Sequence, residues 1–195
     1  WDNVKWRPVS DCPGLKDEDG YFYPMIWPNK NYPNRALLQH KWTIEDVEKE
    51  FRAQIELAIK KIPRISHVSG HMGCTHMNEE VAALTKRLAK EYAIDIDLSA
   101  KAVKNVSYKG ASKTSVEKKK AFIAMLQTLE AGNTYLFVDH PAFDTPEMRA
   151  IHHIGYEDVA ADRQGVVDIW TDAEIIALIK KKNIQLISYK DVATE

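Results

Sequence analysis

Ile65-Ser66-His67-Val68-Ser69-Gly70-His71-Met72-Gly73-Cys74-Thr75-His76 sets three histidines between an apolar opening and a helix start. Its first six residues read as a buried strand, Gly70 and Gly73 let the backbone bend, and Met77-Asn78-Glu79-Glu80 begins a helix with Asn78 as N-cap. Strand, polar turn, helix is the form in which parallel α/β proteins present reactive side chains at the carboxyl ends of their strands. Side chains two apart on a strand share a face, so His67, Ser69 and His71 are expected to project together, while the direction of His76 is free. Two imidazoles on one face suit a divalent metal, but a hydrolytic site takes three protein ligands and keeps one position open. From spacing alone, metal ligation and ordinary hydrogen-bonded histidines both stay open.

Working outward, Thr43 with Asp46 starts a helix whose Val47, Phe51, Ile55, Ala58 and Ile62 repeat at helical spacing, and Pro63 ends it. Beyond Asn78 the inward stripe is Val81, Leu84, Leu88 and Tyr92, and a strand is expected at 94–98. A short strand at 103–106 precedes a helix capped by Ser115, with Phe122, Ile123, Leu126 and Leu129 inward and Gly132 as its stop. Residues 134–139 form the strongest strand pattern, ending in His140-Pro141, and Thr145-Pro146 opens a short helix. Helix follows within 156–169, Thr171 or Asp172 caps another, and a strand at 184–188 closes the chain. Helices and strands that alternate four times point to an α/β fold with a parallel sheet, and 195 residues fit a single domain over 1–195.

Residues 1–42 hold four of the five tryptophans and most of the prolines without a sustained period, and read as a long ordered loop with an Asp19-Gly20 hairpin turn. Trp6, Tyr21, Tyr23, Trp27 and Tyr32 either form a sugar-stacking rim or pin that loop to the body. With 27 basic against 28 acidic residues, nothing favours nucleic acid, and the runs 118–120 and 180–182 read as solvated helix faces. No run approaches the roughly 20 apolar residues of a membrane span, so no membrane partner is expected. Cys12 and Cys74 read as two buried or incidental thiols, with a single bridge between them as the alternative. The common serine-hydrolase elbow, phosphate-loop and His-Glu-x-x-His patterns are missing from the sequence.

Phe51-Arg52-Ala53-Gln54-Ile55-Glu56, then Ser66-His67-Val68-Ser69-Gly70-His71-Met72-Gly73, then Leu88-Ala89-Lys90-Glu91-Tyr92 resemble, in order, segments of the YdjC-like (ChbG/HpnK) carbohydrate deacetylase family. His140-Pro141-Ala142-Phe143-Asp144 is similar to that family's His-Pro-Gly-Tyr-x-Asp motif, and the closing segment 184–191 also matches. The family's opening Asp-Asp pair and Gly-x-His-Leu segment are not in this sequence. The resemblance therefore implies an irregular, incomplete (β/α) barrel of the polysaccharide-deacetylase-like kind, lacking its first strands, with 1–42 as an aromatic-rich loop region.

It also implies a function: metal-dependent removal of N-acetyl groups from an amino sugar or oligosaccharide, with this chain inactive alone. A divalent ion, Mg or Zn, would be held by an Asp and two His, of which His71 matches one. The general base is an Asp of the unmatched pair. His140 is then a general acid or an oxyanion donor, or more plainly a strand-end cap; Arg163 orients carboxylates or touches sugar, or is a surface arginine; Asp144 fixes the turn. Trp6, Tyr23 and Trp27 are the expected substrate-binding residues. An N-acetylated sugar is the expected partner, with a homo-oligomer covering any open sheet edge. The compartment is open: cytoplasmic, or periplasmic if an export signal preceded Trp1. The alternative is a non-catalytic carbohydrate-binding or assembly module.

Overall fold

Thr43 accepts a hydrogen bond from the Asp46 amide and opens α1 (Ile44–Lys61), with Glu45 and Asp46 at its positive end and Lys60 and Lys61 at its negative end. The computed structural model describes residues 5–62 and 64–193. Asn78 caps α2 (Glu79–Glu91) by accepting from the Val81 amide, as the spacing predicts. Val47 of α1 and Val81, Leu84 and Leu88 of α2 are buried together with Cys12, Leu15 and Leu37, while Phe51 and Ile55 pack on their edge. The stripe fades at the last turn of α1, where Ile62 is 56% exposed.

The aromatic-rich opening region is a succession of tight turns laid against this helix pair. Lys16 pairs antiparallel with Phe22, and between them the Asp17 amide donates to the Tyr21 carbonyl at 2.7 Å and the Gly20 amide to the Asp17 carbonyl at 3.0 Å. This is the expected reversal at Asp19-Gly20, and Gly20 sits at φ +80° where a side chain would be strained. Short 3-10 turns at Pro13–Leu15 and Leu37–Gln39 carry the buried Leu15 and Leu37. The region is fastened to α1 by Glu50, which is only 1% exposed. Its carboxylate accepts from the Val9 amide at 2.9 Å, the Ser10 amide at 2.8 Å, the Ser10 hydroxyl at 2.6 Å and the Gln54 side-chain Nε2 at 2.7 Å.

These elements make up one compact unit, reaching to Asp97; a second begins at Leu98. In the second, β1 (Val103–Val106) and β2 (Thr134–Phe137) pair in parallel, with Val103 opposite Thr134 and Val106 opposite Phe137. A parallel pair needs a crossover, and α3 (Ser115–Gln127) supplies it. Its cap is Thr114 rather than Ser115: the Thr114 hydroxyl accepts from the Glu117 amide and the Glu117 carboxylate accepts from the Thr114 amide, a complete capping box one residue earlier.

Downstream lie α4 (Pro146–Arg149), α5 (Val159–Thr171), α6 (Ala173–Lys181) and α7 (Tyr189–Ala193). Asp172 both ends α5 and caps α6, accepting from the Glu174 and Ile175 amides. Phe122, Met125 and Leu126 of α3 bury against Ile169, Ile175 and Ile179. Lys118 corrects the reading of 118–120 as a solvated face: it is 3% exposed and pairs with Asp162 of α5 at 2.8 Å.

Three expected strands do not form among the described residues. Segments 65–70 and 94–98 run without ladder pairing, joined by a hydrogen bond from the Ile96 amide to the Ser66 carbonyl at 3.4 Å. Segment 184–188 likewise has no ladder, and its Leu186 is 67% exposed. Ser188 instead opens α7, donating its amide and hydroxyl to the Asp191 carboxylate. An apolar run becomes a strand only with a neighbour to take its amides and carbonyls. The described sheet is therefore two-stranded, not four times repeated. No helix of the described residues is long and apolar enough to cross a membrane.

Removing the Glu50 carboxylate leaves two part-buried main-chain amides and a hydroxyl without their acceptor. Glu50→Ala is expected to cost about 3 kcal/mol of unfolding free energy, read by urea denaturation, and to open the segment before α1 to proteolysis first.

Candidate functional site

The histidine segment 71–76 is a strained, tightly held turn rather than a strand end. His71 and His76 begin and end a stretch of 3-10 turns interrupted at Met72 (φ 49°) and Gly73 (φ 73°). A non-glycine residue at positive φ is uncommon, and here neighbouring contacts hold it. The Thr75 side chain packs directly on Gly70 with no room for a Cβ, and the Thr85 hydroxyl of α2 donates to the Thr75 carbonyl at 3.1 Å. His71 and His76 are both exposed, and the expected shared face of His67, Ser69 and His71 does not arise because 65–70 is not a ladder strand. Burial pushes His67 below the usual imidazole range and the Cys74 thiol above the usual thiol range. Cys74 is thus a poor nucleophile.

Of the expected sugar-contacting aromatics, Trp6 is 69% exposed and Trp27 is 47% exposed. Tyr23 is placed differently: it packs against the helix-pair core, and its ring stacks on His40 with centroids 4.0 Å apart. Burial raises its hydroxyl pKa. Trp27 lies over the histidine turn. A Cβ built on Gly73 would stand 2.7 Å from Trp27 Cη2, 3.0 Å from Cζ3 and 3.3 Å from His76 Nε2. Only glycine, already in a left-handed conformation, admits the indole there.

In the second unit the structure gathers polar groups at the carboxyl ends of β1 and β2. Tyr108 lies two residues past β1 and Asp139 two residues past β2, so the parallel register sets them side by side. The Tyr108 hydroxyl donates to one Asp139 oxygen, and the His140 amide donates to the other at 2.8 Å. The Lys118 ammonium lies 4.9 Å from the centre of the Tyr108 ring. Its partner Asp162 also accepts from the Tyr156 hydroxyl, and Arg163 follows on α5, interacting with Tyr156. Arg163 is thus half-buried and engaged with Tyr156, which departs from the reading of it as a surface arginine.

The loop bearing His140 is bolted to α5 at two more points. The Ala142 amide donates to the Arg163 carbonyl at 3.3 Å, and the Asp144 amide to the Gln164 side chain at 2.9 Å. Asp144 does fix this turn, receiving the Arg149 guanidinium through both oxygens; that pair holds its carboxyl below the usual carboxylate range. His140 itself is exposed at the end of this clamped loop. The sequence reading missed Tyr108, Lys118, Asp162 and Tyr156. The equal offset of Tyr108 and Asp139 past their strands shows only once β2 ends at Phe137, two residues short of the expected 139.

The segments 51–56 and 88–92 turn out to be two sides of one clasp. Arg52 of α1 binds both oxygens of Glu91 at 2.6 and 2.8 Å, and the Tyr92 hydroxyl donates to Glu56 at 2.6 Å. These guanidinium contacts lower the Glu91 pKa. Such exposed pairs set the angle of α1 on α2 more than they add stability.

Among the described residues no three His, Cys, Asp or Glu side chains group in a way that could hold a metal ion. His71 with its surroundings does not meet the three-ligand requirement of a hydrolytic centre.

An α/β protein of this build, with polar groups gathered beyond a parallel strand pair, is matched over residues 2–181 by the family described as YdjC-like protein. The chain belongs to the YdjC-like family. It is similar to three proteins named carbohydrate deacetylase. That of Enterococcus faecalis is 24% identical over 201 residues, spanning 95% of this chain and 71% of that protein. The Clostridium beijerinckii protein is 32% identical over 161 residues, 76% of this chain and 62% of that one. The Thermus thermophilus protein is 30% identical over 94 residues, 48% of this chain and 31% of that one. A crystal structure from Enterococcus faecalis V583, described as a cellobiose-phosphate cleavage protein, has a TM-score of 0.61 at 19% identity, covering 95% of this chain and 72% of that one. That likeness is one of fold.

The tyrosines give a pH test of the second unit. Burial first, then the Asp139 carboxylate, raises the Tyr108 pKa far above the usual phenol range; burial and Asp162 push Tyr156 up to about 12. Above a pH of about 10 the unfolded chain loses protons that the folded chain keeps, so this stability is full below that pH and is lost as pH rises toward the folded values. Melting curves at pH 9 and 11 are expected to show a smaller alkaline drop for the double variant Tyr108→Phe, Tyr156→Phe than for the wild type.

Proposed function

We propose that the protein is a carbohydrate deacetylase, a hydrolase that removes an N-acetyl group from an amino sugar or oligosaccharide. The reading rests on one observation: membership of the YdjC-like family, with relatives of 24% to 32% identity that each carry the name carbohydrate deacetylase. Within it, the fold is completed as an irregular (β/α) barrel. His140 serves as general acid or as donor to the oxyanion that develops when the acetamido carbonyl is attacked, a role suited to an exposed imidazole at a strand's carboxyl end. Arg163 acts behind it, holding the loop of His140 through its carbonyl.

A divalent ion, Mg or Zn, belongs to this proposal only with ligands from outside the described residues, because His71 is a single exposed imidazole. The same observation favours a second reading, a non-catalytic carbohydrate-binding or assembly module.

Elemental analysis and acetate release from N-acetylated chito-oligosaccharides separate the two. The longest chain its gene encodes is expected to carry about one divalent ion, lost in His71→Ala, and to lose roughly 100-fold or more in kcat in His140→Ala. The 195-residue chain is expected to hold the ion weakly and release little acetate. No ion and no acetate from the longest chain would leave the binding module as the better reading.

A further inference from the structure

Trp27 is a large apolar side chain left 47% exposed. Its six-membered ring edge is docked on the Gly73 backbone, at a point where His76 Nε2 also converges. The turn beneath is held in two successive left-handed residues, Met72 and Gly73. Backbone strain that the surroundings over-determine clusters at ligand sites, and here the surroundings are the Gly70–Thr75 contact and the Thr85 hydrogen bond. His76 Nδ1 lies 3.4 Å from the Thr75 hydroxyl. A hydroxyl that donates there leaves Nε2 as an N–H donor beside the indole.

An apolar ring beside a hydrogen-bonding imidazole tip suits a ligand that is apolar on one face and hydroxylated at its edge. We propose that Trp27, seated on Gly73 beside His76, is the platform for one pyranose ring of an N-acetylated oligosaccharide, and that His76 hydrogen-bonds that sugar. The choice of sugar rests on the deacetylase reading; the platform rests on the geometry. Gly73 takes part without touching the ligand, because its missing side chain is what lets the indole down onto the turn.

The test is equilibrium binding of N,N′-diacetylchitobiose to the 195-residue chain, followed by 15N NMR. The Trp27 indole N–H, identified by its loss in Trp27→Phe, is expected to shift saturably and to show nuclear Overhauser contacts from its ring protons to sugar ring protons. Trp27→Ala is expected to raise Kd about 10-fold, a stacking contribution of ordinary size. Gly73→Ala, which unseats the ring, is expected to match it, while Trp27→Phe stays within about threefold and His76→Gln within about fivefold. Absence of saturable binding, or binding without the indole contacts and with Kd unchanged in Trp27→Ala, overturns the platform. The contacts are read in the wild type, so a variant that fails to fold does not spoil the result. Binding by way of Trp27 with no acetate release from the longest chain its gene encodes keeps the platform and removes the enzyme. Acetate release with KM unaltered by Trp27→Ala does the reverse.

Discussion

The Glu50 carboxylate is the constraint on which the first unit depends. A buried charge is tolerated only where hydrogen bonds replace its water, and the replacements here come from Val9, Ser10 and Gln54. Because two of those donors are main-chain amides, the carboxylate fixes the path of the backbone and not merely a side chain. From that anchor the chain enters the turn that buries Cys12 and Leu15 against α1 and α2. The course that later brings Trp27 over Gly73 begins from this fixed point. A long segment with five prolines and little regular structure can hold a single shape only if such points are strong.

The second unit solves a related problem with a parallel strand pair. Two strands alone give a small sheet, and its stability comes from α3, α5 and α6 packed around Phe122, Ile169 and Ile175. Lys118 and Asp162 are the polar pair within that packing, and each also meets a tyrosine. The carboxyl end of the pair is thereby stiffened from below by Lys118 over Tyr108, and His140 rides on Asp139 above it. The support holds the main chain of His140, while its imidazole stays exposed.

What was legible in the sequence was local. Thr43 and Asn78 cap as read and Asp172 is the one of the two residues offered at 171–172 that caps, whereas the Asp46 carboxylate does not close a capping box and accepts from the Gly14 amide instead. The 103–106 run and the first four residues of the 134–139 run were legible because each finds a partner in the other, the ladder stopping at Phe137. The runs at 65–70, 94–98 and 184–188 have the same apolar character, but pairing is a tertiary fact that periodicity does not carry. At 184–188 a local signal was available and outweighed by that pattern: Ser188 and Asp191 have capping-box spacing. In the candidate site, His140 at a strand end was readable. The Trp27–Gly73 contact joins residues far apart in sequence, and the glycines at 70 and 73 read only as bends until the side chains seated on them were seen. Lys118 was misread because its neighbours Lys119 and Lys120 made it look like a solvated run.

Asp172 has a kinetic meaning. One residue closes α5 and caps α6, so two helices turn a corner without a loop whose closure entropy must first be overcome. The strand partners lie about 30 residues apart in sequence, as Val103 opposite Thr134 shows. A corner built from near neighbours forms in far less time than a pairing across that distance. The α5–α6 corner is thus a local element, whereas the Lys119–Asp172 ion pair that ties α3 to it joins residues farther apart in sequence than the two strands are.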